Sequence, residues 1–313
     1  MSLSPSPPSG LPFTPVFSGH ETFALRGTWL KKAYDLLQAT PERFAHEEAF
    51  VWLGVGKNMA QSIRYWGRVC GIFDRLPNGA GYASTPLGHA LLADDGWDPF
   101  LVTPASRWLL HWQLAARPET AFSWYYTFNL LHTGAFTADQ LASQIAAEAL
   151  RRGWKVSSPA TLRRDVDCLL HCYVRPAAKE LATAVEDALA CPLRELNLIQ
   201  LLPGERRYTL ASSPQPDLPT TLVLYAALRQ VQAVGRQTLA LHELAYAPGS
   251  PGRVFRLTED GLLAHLLRLS ELTGGRAYFT EAAGIRQLAW LDPSDAPLLR
   301  QLLQQAFADE VAP

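Results

Sequence analysis

Between Leu53 and Phe73 a glycine-bearing turn, Gly54 to Gly56, leads into a run in which Met59, Ile63, Trp66 and Cys70 recur at helical spacing, one apolar stripe. Lys57, Gln61, Arg64 and Arg68 repeat the spacing two residues out of phase, with Asn58, Ser62 and Tyr65 beside them. One face of this helix is expected to pack and the other to offer donors.

The neighbouring segments order themselves around that helix. His46 to Leu53 reads as a first helix and Lys57 to Gly71 as a second. Pro77 to Gly81 then separates two short strand-like segments, with Asn78-Gly79 as a favoured hairpin turn. Helix, tight turn, donor-bearing helix and hairpin is the order of a winged helix-turn-helix. The second helix of that motif enters the major groove, where Arg and Lys suit guanine and Asn and Gln suit adenine.

Net charge is −1, so attraction for phosphate must come from local clusters. Residues 57–75 carry a net +3 and residues 151–179 a net +5. With 48% apolar and 18% charged residues, the chain has the composition of a folded protein. Cys70, Cys168, Cys172 and Cys191 show no disulfide framework, and Cys168, His171 and Cys172 lack a second ligand pair at metal-binding spacing. Without a signal peptide or a membrane-length apolar run, the expected location is cytoplasmic.

The chain divides on this reading into a Pro/Ser-rich disordered tail (1–18), an N-terminal winged-helix unit with aromatic helices (19–133), a second winged-helix-like unit (134–215) and a third (216–313). In the second unit, helices from Ala138 to Arg152 and Ala160 to Cys172 precede a hairpin at Leu198 to Ala211. Arg163, Arg164, Asp167 and His171 are its outer residues, and Arg206 and Arg207 stand at its tip, within reach of a phosphate. The third unit opens with a helix from Thr221 to Val234. Its would-be recognition helix, Thr258 to Leu272, is apolar round more than half its circumference, which suits assembly or partner docking. The fold class expected is mainly α with small β-hairpins (α+β), in tandem winged helix-turn-helix units.

Gly54-Val55-Gly56-Lys57-Asn58 lacks the full phosphate-loop pattern, so nucleotide hydrolysis is excluded. Cleaving a phosphodiester requires metal-binding carboxylates or a His with an acidic neighbour. The polar residues out of keeping with their surroundings are His20, Glu21, Asp94, Asp95, Asp98 and His111. None forms a nuclease signature; cap, turn and core hydrogen-bonding roles stay open beside a catalytic one.

Gly19 to Phe23, Leu25-Arg26, Trp29 to Lys32, Leu53 to Trp66, Asp95 to Pro99 and Trp108 to Leu114 together resemble the signature blocks of a bacterial domain-of-unknown-function family of DNA phosphorothioation operons, with SspB-type DNA-nicking subunits. The resemblance implies a role in modification and antiphage defence, in which a duplex is nicked so that sulfur can be incorporated, with a divalent cation as cofactor if the chain nicks. It implies double-stranded DNA as ligand and, as partners, a cysteine desulfurase, an ATPase and an ATP-pyrophosphatase-type sulfur transferase. The alternative is a non-catalytic DNA-binding regulator or scaffold that recruits those partners.

Overall fold

The structure, a computed structural model, describes residues 15–77, 79, 81–175, 191–282 and 284–308. The chain is mainly helical with small antiparallel hairpins. Helices α1 (Gly27–Ala39), α2 (Pro41–Ala45) and α3 (Ala49–Leu53) precede α4 (Lys57–Val69). The first helix expected from His46 begins three residues later, at Ala49. Gly54, at φ 61°, closes α3 in the left-handed region, which glycine enters without a Cβ clash.

Strands β1 (Phe73–Arg75) and β2 (Tyr82–Ser84) follow α4 as an antiparallel hairpin, with Phe73 opposite Ser84 and Arg75 opposite Tyr82. Asn78 of the expected turn lies outside the described residues. Gly79 has φ 71°, and its N–H donates to Leu76 O at 2.8 Å. The hairpin is fixed to α4 at Gly67, where any Cβ would overlap the Phe73 ring. Phe44 packs edge-on against Phe73 and Tyr82, with centroids 5.0 and 5.2 Å away. Thr85 caps α5 (Pro86–Leu92) by accepting from Gly88 N–H at 2.9 Å, and its hydroxyl donates to Gly71 O at 2.5 Å.

The aromatic helices expected within residues 19–133 are present, and their large rings lie in the core. Trp108 and Trp112 lie in α6 (Pro104–Ala115), and Phe122 and Trp124 lie in α7 (Phe122–Tyr125), which continues into a π-helical turn at Tyr126–Leu130; all four are buried. Inside that turn Asn129 donates to Ala115 O (2.7 Å) and Tyr125 O (2.9 Å) and accepts from Gly249 N–H (2.7 Å). One amide thus fastens two helices to a distant loop.

Helices α8 (Ala138–Arg151) and α9 (Pro159–Tyr173) lead to the hairpin β3 (Ile199–Leu201) and β4 (Tyr208–Leu210). The last third contains helix Thr220–Val234, a three-stranded sheet ordered β5 (Thr238–Ala240), β7 (Ile285–Trp290), β6 (Ala277–Ala282), and a C-terminal helix Ala296–Ala308. The single helix expected from Thr258 to Leu272 is two, Glu259–Leu266 and Leu269–Leu272. Strand β5 and the C-terminal helix add to the order expected from sequence.

Buried residues from Leu25 to Phe307 form one continuous cluster. Trp97 stacks on Phe307 and Trp112 meets Tyr225 edge-on, so the C-terminal helices share a core with the first 130 residues. Of the expected tail, residues 1–14 lie outside the described residues. Positions 15–18 are not loose: Phe17 packs against Phe122, and Ser18 N–H donates to Asp165 Oδ1 at 2.8 Å. Among the described residues no helix is long and apolar enough to cross a membrane.

Alanine usually improves a helix interior by about 1 kcal/mol over glycine. Gly67→Ala is expected to do the reverse, lowering stability by roughly 1–3 kcal/mol because the methyl group displaces Phe73. Urea denaturation of the two proteins decides the sign; a stabilised variant would mean that the hairpin is not held against α4.

Candidate nucleic-acid interface

Helix α4 sorts its side chains cleanly. Ala60, Ile63, Trp66 and Val69 are buried, while Lys57, Asn58, Gln61 and Arg68 are exposed in a row on the outer face. The inner face is clamped by hydrogen bonds as well as by packing. Trp66 Nε1 donates to Phe23 O at 3.0 Å, and Arg117 donates to Val69 O at 2.5 Å. Arg68 lies 3.5 Å from Asp74 in a weak exposed pair that leaves 46% of its side chain open.

Three of the residues expected on the donor face are corrected. Ser62 is fully buried: it lies three residues after Met59 and four before Trp66, on the apolar stripe. Tyr65 is half-buried, with its ring against Gly19 and Trp66, and desolvation raises its hydroxyl pKa well above the usual value. Arg64 reaches back across the motif and donates to Phe44 O from Nη2 (2.6 Å) and Nε (3.2 Å) and to His46 O from Nη2 (2.6 Å). It closes the carboxyl end of α2, and desolvation holds its pKa below the usual arginine value.

The second cluster is partly self-neutralised. Arg163 bridges Asp139 and Asp167, and Arg207 pairs with Glu205 at 3.2 Å. Arg164 and Arg206 remain exposed, Arg206 in the loop between β3 and β4.

The residues singled out for chemistry are dispersed and, where buried, satisfied. His20 is fully buried and stacks on Trp66. Its Nδ1 accepts from Thr22 N–H at 3.1 Å, so Nε2 carries the proton and donates to Asp165 Oδ1 at 2.8 Å. Asp165 also accepts from Ser18 N–H and, through Oδ2, from the Ser123 hydroxyl. Asp98 accepts from Val102 N–H (3.1 Å), Thr103 N–H (2.8 Å) and the Ser106 hydroxyl (2.7 Å), bracing the entry to α6. His111 is fixed as a core hydrogen-bonder: Nε2–H donates to Val254 O and Nδ1 accepts from Tyr173, both at 2.7 Å. Burial pushes its pKa down to about 4.

Glu21 is half-buried, at φ 49°, and Asp95 is exposed. Asp94 pairs with Lys31 at 2.7 Å. No hydrogen bond or ion pair joins His20, Glu21, Asp95, Asp98 and His111 to one another among the described residues, so they are not one catalytic group. Nor does any group of three or more His, Cys, Asp or Glu among the described residues stand where it can hold a metal ion. All four cysteines are buried free thiols.

Asp165 was not singled out from the sequence, although it is the acceptor that gives His20 its role; the two lie 145 residues apart and no local pattern links them. If His20 is a structural donor, His20→Ala leaves a buried carboxylate short of a partner. Stability then falls by roughly 2–4 kcal/mol in urea titration. Unchanged stability would instead mean that the imidazole does not hold Asp165 in place.

A family model described as a protein of unknown function, DUF4007, matches residues 17–307. Two solved structures, a crystal structure of SspB and one of SspB with magnesium ion bound, are each 34% identical to this chain with a TM-score of 0.83. Each alignment covers 95% of this chain and 89% of the other. No curated protein matches. The chain therefore belongs to the family of proteins of unknown function DUF4007, with solved relatives in SspB.

Proposed function

We propose that this protein binds duplex DNA within a bacterial phosphorothioate modification and antiphage defence system, and nicks the duplex so that sulfur can be incorporated. One observation carries the DNA-binding reading: Lys57, Asn58, Gln61 and Arg68 stand exposed along a helix whose other side is locked in the core. On this reading α4 is the recognition helix of a winged helix-turn-helix and the hairpin Phe73–Ser84 its wing. Asn58 and Gln61 meet base edges, while Lys57 and Arg68 neutralise phosphates. Arg164 and Arg206 offer a second set of phosphate contacts. The C-terminal segment, 216–313, docks an operon partner from among a cysteine desulfurase, an ATPase and an ATP-pyrophosphatase-type sulfur transferase.

Nicking draws its support from the likeness to SspB. Magnesium is bound in one SspB structure, yet the described residues of this chain supply no group of three or more His, Cys, Asp or Glu that could hold the ion. A non-catalytic scaffold is favoured by one specific observation: the buried candidates for chemistry are all engaged in holding the fold.

Binding of labelled duplex across a salt series tests the interface. Lys57→Ala and Arg68→Ala should each reduce the logarithmic salt slope by about 0.9. An unchanged slope in both removes α4 from the interface. In the same preparation, conversion of supercoiled plasmid to open circles with added magnesium supports the nickase reading; plasmid left intact with every common divalent ion leaves the scaffold.

A further inference from the structure

Trp52 lies one turn before the row of donors on α4. Indole side chains are usually well buried, yet 40% of this residue is exposed, and its neighbour Val51 is 61% exposed. The ring is nonetheless held. The Arg43 guanidinium sits 5.4 Å from its centroid, and the His46 imidazole meets it edge-on at 5.7 Å. His46 is itself fixed, because its carbonyl accepts from Arg64 and its Nδ1 accepts from Glu48 N–H at 3.1 Å. Arg43 covers one face of the indole, and the rest of its exposed surface is therefore presented in a set orientation, at little entropic cost to whatever stacks on it.

We infer that Trp52 is a stacking platform for an unpaired nucleobase, placed beside the duplex-binding face of α4. A base inside an intact duplex has both faces covered by its neighbours, so an indole can take only one that is frayed, gapped or turned out of the helix. Charge fits the nucleotide. Arg43 is exposed beside the ring, and the exposed Lys32 reaches Leu53 O from Nζ at 3.2 Å, next to Trp52. Glu42, Glu47 and Glu48 are exposed on the same segment, so repulsion places the phosphate with Arg43 and Lys32. The inference rests on the reading that α4 meets DNA, and it adds a requirement: the preferred ligand is a duplex carrying an unpaired nucleotide, the form that a nicking or strand-exchanging protein handles.

The test uses the full chain and two oligonucleotides of one sequence, a fully paired duplex and a duplex with a single unpaired 2-aminopurine. Wild type should quench the 2-aminopurine on binding. Trp52→Ala should bind the bulged duplex about tenfold or more weakly, without the quench, while binding the paired duplex as wild type does. Trp52→Phe, which keeps a ring, should restore most of both. Equal affinity of wild type and Trp52→Ala for the bulged duplex overturns the platform. So does an equal loss on both duplexes that Trp52→Phe fails to rescue, since the ring would then serve the fold or a protein contact. If Lys57→Ala leaves the paired duplex unaffected while the Trp52-dependent quench persists, the α4 interface fails and the platform stands.

Discussion

A single buried carboxylate holds the amino-terminal half in register. Asp165 on α9 takes hydrogen bonds from His20, from the Ser18 backbone and from Ser123 on α7, so one side chain joins the entry segment to two helices. Buried beside His20, whose ring packs against Tyr65, Trp66 and Trp124, such a group is tolerable only because its acceptor capacity is used. The entry segment in turn offers Phe23 O to both Trp66 on α4 and Cys168 on α9. The orientation of α4 thus depends on a knot assembled from residues far apart in the chain.

That arrangement separates two kinds of polar residue. Those facing inward (His20, Asp98, His111, Asn129, Asp165) have their hydrogen bonds met by protein and serve as joints. Those facing outward on α4 (Lys57, Asn58, Gln61, Arg68) extend from a helix whose position the joints fix. Arg64 belongs with the first kind, although it lies on the outer half of its helix, because its guanidinium closes the end of α2. A surface built this way approaches a ligand preorganised, which spares affinity the cost of ordering the helix.

The sequence made α4 legible because its apolar period is unambiguous over about three turns, and the hairpin after it because turn formers bracket short strand-like runs. Ser62 was equally legible, since its spacing from Met59 and Trp66 puts it on the inner stripe. Arg64 was not: a helical wheel gives direction, not the length of a side chain bending back to carbonyls some twenty residues earlier. His20 and His111 looked out of place for a real reason, as buried imidazoles, but their partners Asp165 and Val254 lie about 145 residues away and only the fold brings them together. The exposure of Trp52 is not legible in the sequence, because an aromatic in a five-residue helix carries no period from which exposure can be read.

Hydrogen exchange of backbone amides, with and without duplex DNA at low salt, tests most directly whether this framework presents α4 outward to a nucleic acid. The account predicts added protection concentrated in residues 49–84, spanning α3, α4 and the hairpin, with the segment around His20 and Asp165 already slow in both states. Protection gained elsewhere while residues 49–84 stay unchanged would contradict it.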